Sequence, residues 1–554
     1  MAIARRLYLY AVAGITLAML IWALITLINL ALQMAFGRGD SLFGSPDSSV
    51  RSQLSLVLAT IAVALPVWAL HWSIAERSLG SAVDSPERRS AVRALYLTII
   101  LLGLLGVLIG SGTQIVAYVL AALLGGALPG TIEALAPVGA FVVAGGFWLY
   151  HAWVRLRDLR TEMTGAAAWL PRAYRYLAML IGLFTLLYGI FQLVGLAGDA
   201  LELTGVGVLS GSGARPMALV GVYQSIVVGF VVWLGHWAYS VRLIEARDWR
   251  GRAERTSRTR AGYFVILILV GVSAFIAQLS SALATVLRLV LDKSVDQTAD
   301  AVLRSVIGTV IIGLVFAGVW WVHRLALINE RRRLGAEAQM HARRVDAYAV
   351  TLVALSSLGP AIAWLIGLAL DVLGRGGRTL TVSSGWQLEL ATFLSYAIVA
   401  AVIWLLGIRQ VQRWRSLDQQ AEAHSTARRA YLLLAIGGSL LGATGALVVI
   451  LNRFIGSLIG ARVTGSLTSE LSTPTGVVIA AILVAGLHYW WLRRDHRVVA
   501  LVSPVPATEL PEAQAVAARV HMLALTIPVG GDAGEAVSHL RAALPEGYRL
   551  DEAG

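Results

Sequence analysis

Twelve long apolar stretches, separated by shorter polar ones, run almost the length of the chain: about 7–35, 53–75, 94–126, 137–154, 176–198, 217–240, 262–291, 303–323, 348–373, 388–408, 430–452 and 475–492. A helix that crosses a bilayer needs about 20 predominantly apolar residues, so each stretch predicts one transmembrane helix. The predicted fold class is an all-α integral membrane protein of about twelve transmembrane helices. The odd-numbered stretches are the longer ones, which predicts tilt or helix ends that run past the lipid. The first stretch is too long for a signal-peptide core, and no small-residue cleavage site follows Met34-Ala35-Phe36-Gly37.

The ends of the even stretches repeat. Trp68-x-x-His71-Trp72 returns as Trp148-x-x-His151, Trp233-x-x-His236-Trp237, Trp320-Trp321-x-His323, Trp404-x-x-Gly407 and His488-Tyr489-Trp490-Trp491. Steps of 80, 85, 87, 84 and 81 residues separate them, with Gly407 in the fifth slot. A basic residue near a tyrosine opens each unit: Arg6-Leu-Tyr8, Arg93-Ala-Leu-Tyr96, Arg175-Tyr176, Arg260-Ala-Gly-Tyr263 and Arg429-Ala-Tyr431, while the fifth has Asp346-Ala-Tyr348 after Arg344. The chain therefore predicts six helical-hairpin repeats over 1–80, 81–160, 161–250, 251–335, 336–420 and 421–497, followed by a small cytoplasmic tail over 498–554. Two spans per unit make the repeats parallel, related about an axis along the membrane normal, and not inverted. A ring of six hairpins and three paired four-helix bundles both satisfy the pattern.

Charge gives the orientation. Of 45 lysines and arginines, 32 fall in segments on the side of the N-terminus and 10 in the segments opposite. Positive residues mark the cytoplasmic side, which places both termini in the cytoplasm and predicts a bacterial plasma (inner) membrane location. With 57% hydrophobic and 14% charged residues, the net charge of +13 belongs to these links, not to a basic domain, and nucleic acid is excluded as a partner. Cysteine is absent, which removes disulfides and thiolate metal sites. The opposite connections, such as Gly37–Asp47, Leu209–Ala214 and Ser466–Pro474, read as short solvated loops.

Trp68, His71 and Trp72 share one helix face within a turn or two of the arginines, at the depth of the headgroups. One reading is an interfacial belt of aromatic rings. The other makes Trp68, His71, His151, Trp233, His236, His323 and His488 headgroup or ligand contacts, since imidazole with nearby arginine suits an anionic lipid and imidazole also ligates haem or metal. Gly407 and the lack of matching carboxylate partners count against metal, and no cofactor is expected. Gln114, Gln192 and Gln278 recur in units two to four as candidate intramembrane polar contacts, either interhelical glue or the lining of a polar path. Gly103, Gly106 and Gly110, and Gly437, Gly438 and Gly442, are expected to let helix backbones approach closely. Almost no ionisable side chain lies in mid-span, which argues against a coupled pump. No zincin or nucleophile-elbow motif occurs. In the tail, residues 511–525 and 533–544 read as short helices.

The opening tyrosines, such as Tyr8 and Tyr96, and the Trp-x-x-His ends resemble a bacterial membrane-protein family of unknown function built from repeated helix pairs, over about residues 5–497. The resemblance implies a multi-pass location and transfers no catalytic residue. Three functions follow in order: a non-enzymatic scaffold, or a partner- or lipid-binding subunit, with the bilayer, anionic lipids and a membrane protein as partners; an uncoupled transporter or channel; and a haem- or quinone-linked membrane subunit.

Overall fold

The computed structural model describes residues 3–36, 46–80, 85–124, 130–200, 214–291, 299–374, 386–458 and 467–500. The chain divides into two units, 1–496 and 497–554. Of the second only 497–500 are described, so the two tail helices expected from sequence lie outside the described residues.

Every described element is an α-helix, and no strand occurs among the described residues. Six hairpins follow in chain order: α1 (Ile3–Phe36) with α2 (Pro46–Arg77), α3 (Ala91–Leu123) with α4 (Thr131–Asp158), and α5 (Gly165–Ala200) with α6 (Ala214–Glu245). After the short α7 (Trp249–Arg255) come α8 (Arg258–Leu291) with α9 (Ala299–Arg332) and α10 (Ala336–Gly374) with α11 (Trp386–Leu417). After the short α12 (Gln419–Ala423) come α13 (Thr426–Leu458) and α14 (Leu467–Ala500). Asp248 and Asp418 cap the two short helices, accepting from backbone N–H groups in the first turn. Twelve helices are long and apolar enough to cross a membrane, with mean hydropathy from 1.6 to 2.4 over their best windows. Eleven of them cover the whole apolar stretch that predicts them, and α3 ends at Leu123, three residues short of its stretch. The clearest difference is Ser466–Pro474, expected as a loop: α14 begins at Leu467 and carries Pro474 inside it. The mostly polar residues 467–474 form its first two turns, and the apolar stretch continues the same helix.

The hairpins stack in a row. Outgoing helices pack in succession, α1 on α3, α3 on α5, α5 on α8, α8 on α10 and α10 on α13. Each return helix packs back on the outgoing helix of the preceding hairpin, α4 on α1, α6 on α3, α9 on α5 and α11 on α8. Hence α3, α5, α8 and α10 form the buried inner layer, and α2, α4 and α9 expose most of their length. α1 and α13 are outgoing helices too, yet they are less buried than the four between them, as the two ends of a row must be. In lipid those exposed Leu, Val and Ile side chains are in their proper solvent.

Close backbone contact occurs at glycines other than those expected. Gly103, Gly106, Gly110, Gly437, Gly438 and Gly442 have no atom within 4 Å of where a Cβ would stand. They sit on outward faces, so their spacing reflects helix surface and not a helix seam. The tight seams lie elsewhere. Gly182 and Gly229 bring α5 against α6, Gly271 brings α8 against Phe316 and Trp320 of α9, and Gly367 and Gly476 bring α10 against α14. A Cβ on Gly229 would strike the backbone of Leu186.

Gly229→Ala should therefore lower the unfolding temperature in detergent by the equivalent of about 1–3 kcal/mol, the usual cost of overpacking. Gly106→Ala should leave it unchanged or raise it, because alanine is the better helix former by about 1 kcal/mol. Differential scanning fluorimetry of the two variants checks both directions.

Candidate functional site

Ionisable groups gather at one end of the helices, where outgoing helices start and return helices finish, and they do so three times in the same pattern. In the first four helices, Arg6 Nε donates to Glu87 Oε2 at 2.8 Å and Tyr10 O–H to Glu87 Oε1 at 2.9 Å. Glu87 lies in the link before α3. Arg93, one turn into α3, donates through Nη1 to the Tyr10 oxygen at 3.2 Å and through Nε to Asp158, the last residue of α4, at 2.6 Å. In the next four long helices Arg172 reaches Glu254 at 3.2 Å, Tyr176 donates to Glu254, and Arg260 donates to Tyr176 at 3.0 Å and to Glu330 at 2.6 Å. In the last four, Arg344 reaches Glu422 at 2.9 Å, Tyr348 donates to Glu422, and Arg428 binds Tyr348 at 3.2 Å and Asp495. Glu254, Glu422, Asp158 and Asp495 are buried. Each of Glu87, Glu254 and Glu422 thus ties one outgoing helix to a link, and each Arg–Tyr–Glu clamp joins two hairpins into a four-helix unit.

The histidines form a second series. In five hairpins Nδ1 lies 2.7–2.8 Å from the carbonyl four residues earlier: Val67 for His71, Phe147 for His151, Val232 for His236, Val319 for His323 and Val484 for His488. A carbonyl only accepts, so Nδ1 is the donor here, and Nε2 lies within hydrogen-bond distance of a tyrosine hydroxyl. The tyrosines are Tyr8 at 3.3 Å, Tyr96 at 3.2 Å, Tyr174 at 3.2 Å, Tyr263 at 3.5 Å and Tyr431 at 2.8 Å. A tryptophan of the preceding hairpin donates to the same oxygen in two cases, Trp148 to Tyr174 and Trp404 to Tyr431, both at 3.1 Å. Trp68 and Trp233 keep buried indole N–H groups without a hydrogen-bond partner. His151, His323 and His488 are enclosed, whereas His71 and His236 are half-buried.

The fifth hairpin departs twice. Gly407 replaces the histidine, and a Cβ there would meet the Thr351 hydroxyl. Asp346 replaces the tyrosine, and it accepts from Arg324 at 2.6 Å and from Trp320 at 3.4 Å. The two partners of one hydrogen bond within a hairpin are lost together, and Asp346 pairs instead with α9 of the preceding hairpin. The glutamines are not brought together. Gln114 and Gln192 are exposed, Gln192 donating to Tyr188 on its own helix at 3.4 Å, and Gln278 is half-buried beside Gly313. Among the described residues no group of three His, Asp or Glu side chains is placed to hold a metal ion.

Sequence reasoning caught the opening tyrosines but merged two registers. Tyr8, Tyr96, Tyr263 and Tyr431 meet histidines, while Tyr176 and Tyr348 belong to the clamps. It missed Glu87, Glu254 and Glu422. Their spacings of 167 and 168 residues were the available signal, twice the hairpin period and hidden behind it.

Twelve spans, a three-times-repeated polar clamp and a Tyr–His belt define a multi-pass membrane protein of tandem four-helix units. The chain belongs to the family described as domain of unknown function DUF5671, whose model matches it three times, over residues 6–146, 172–314 and 344–487. The matches open at Arg6, Arg172 and Arg344, the three arginines that start the clamps. No curated protein and no solved structure matches the chain.

Removing one partner of a buried ion pair strands the others. Glu422→Ala should destabilise by about 3–5 kcal/mol. The paired variant Arg344→Ala with Glu422→Ala should lose less than the sum of the two single variants. A double-mutant cycle read by thermal unfolding in detergent checks the coupling.

Proposed function

We propose that this chain is a non-enzymatic integral membrane scaffold that binds lipid or a membrane-protein partner. One observation carries the reading: the recurring groups capable of chemistry are engaged in holding helices together. Five imidazoles have both nitrogens occupied, one by a carbonyl and one by a tyrosine, and a ligand to haem or metal must have a nitrogen free. The charged clusters are pairs built from protein alone. In this reading His151, His323 and His488 tie outgoing to return helices. The exposed ring edges of Trp68 and Trp233, with the half-buried His71 and His236, lie beside lipid headgroups at the interface, and the arginine-rich end draws anionic lipids. The exposed Gln114 and Gln192 and the half-buried Gln278 make polar contacts within the membrane. The protein works without cofactor and without nucleic acid.

The 32 basic residues on the side of the N-terminus support a bacterial plasma-membrane protein with both termini in the cytoplasm. The cysteine-free sequence makes this simple to test. Thr164→Cys, in the link between α4 and α5, should react with a membrane-impermeant maleimide only after cells are permeabilised. Thr131→Cys, at the far end of α4, should react in intact cells. The reverse pattern would invert the topology.

Native mass spectrometry and an absorption spectrum of the detergent-extracted protein test the activity class. The expected result is a chain that carries lipid, or a stoichiometric protein partner, with a featureless visible spectrum. A haem or flavin band at one equivalent per chain would overturn the scaffold reading.

A further inference from the structure

The repeat is its own reference for which residues the fold requires, and two buried arginines stand outside it. Arg155 on α4 is 7% exposed and Arg175 on α5 is 2% exposed. At the corresponding places the other repeats carry Leu327 and Leu492 for the first, and Leu9 and Ala347 for the second. The second clamp already has Arg172 on Glu254, and Arg175 adds another cation to the same carboxylate at 2.9 Å. Arg155 has no carboxylate. Its Nη2 donates to the Pro171 carbonyl at 3.0 Å, its guanidinium lies 4.4 Å from the centre of the Tyr174 ring, and its Nε is buried without a partner. Arg172 and Arg175 therefore share one glutamate and Arg155 pairs with none, an excess of two positive charges where burial makes uncompensated charge costly.

Both extra arginines line a cleft of about 590 Å³ between α3, α4, α5 and α6. Tyr174, His236 and Tyr239 complete its polar end, with Arg175 5.2 Å from the centre of the Tyr239 ring. The rest of the wall is apolar, including Leu105, Leu108, Val116, Phe141 and Val231. Phe141 and Val231 are exposed, so the cleft opens sideways toward the lipid. Its volume lies in the range of small-ligand pockets, about 300–1,000 Å³.

We propose that this cleft is a binding site for one anionic amphiphile, an acyl chain that ends in a phosphate or carboxylate group. The chain lies along the apolar half, and the anionic head takes charge-assisted hydrogen bonds from Arg155 and Arg175. The site explains why two cations without counterparts in the other repeats meet where the first and second four-helix units adjoin, and why they sit at one end of an apolar cleft with a lateral opening. It deepens the lipid-binding reading above, from bulk lipid to a single stoichiometric site.

The test uses the full chain in phosphatidylcholine nanodiscs, alone, with phosphatidylglycerol or with oleate, followed by native mass spectrometry of retained lipid. One phosphatidylglycerol or one oleate per chain is expected in preference to phosphatidylcholine, and which of the two is held identifies the head as phosphate or carboxylate. Arg155→Leu installs the residue that the other repeats use and should weaken retention about tenfold or more, the scale of a lost buried charge contact. Val231→Trp keeps both arginines, fills the apolar half and should weaken retention as well. It also decides the matter if Arg155→Leu does not fold, which unfolding temperatures in lipid-free detergent report. Equal retention by parent and variants, or no preference over phosphatidylcholine, overturns the site. That result with a featureless spectrum leaves the scaffold reading standing, whereas a haem band sinks the scaffold reading and leaves a selective lipid site intact.

Discussion

A buried carboxylate held between an arginine and a tyrosine governs this architecture. Helices in lipid have no hydrophobic drive toward one another, so van der Waals contact alone would let hairpins slide. Glu87, Glu254 and Glu422 remove that freedom. Each sits on the link between two hairpins and is gripped by the first helix of the earlier one. The following arginine (Arg93, Arg260 or Arg428) takes the tyrosine oxygen and reaches on to a carboxylate at the end of the fourth long helix. Three helix ends and a link are thereby fixed by one chain of donors and acceptors. The desolvation penalty is met because each group finds partners, and the same arrangement recurs at each unit.

The Tyr–His contacts work within hairpins where the clamps work between them. They set the pitch of a return helix against its outgoing neighbour, and their burial varies along the row. His151, His323 and His488 are enclosed, whereas His71 and His236 are half-buried. In the fifth hairpin, histidine and tyrosine vanish together, and Asp346 turns instead to Arg324 on α9 of the hairpin before. The bond within that hairpin is given up while one to its neighbour is gained. Arg155 and Arg175 are a different departure, cations added without partners added.

Much of the fold was legible in the sequence. Hydropathy placed twelve helices, and the Trp-x-x-His ends placed six hairpins with one orientation. Their grouping was not legible, because the evidence for a four-helix unit lies in single glutamates spaced 167 and 168 residues apart on links that read as ordinary charged loops. The glycine expectation failed for a related reason. Small residues at three- and four-residue spacing mark a smooth helix surface, but only the partner helix decides whether that surface becomes a seam, as at Gly229 against Leu186. At the site, sequence identified the histidines and not their partners, so a satisfied hydrogen bond and an open ligand position looked alike.

Because every hairpin begins and ends at the same face, the chain comes back to its starting side after each one. Adding or deleting a hairpin would leave everything downstream the right way up, and adding or deleting four helices would also preserve the clamps. Duplication is then a neutral act for topology, and length becomes a variable that gene rearrangement can change without refolding what already exists. A copy freed from the work of holding its neighbours can drift toward a new use, and the cleft where α3 and α4 meet α5 and α6, with its surplus cations, is where such drift is visible in this chain.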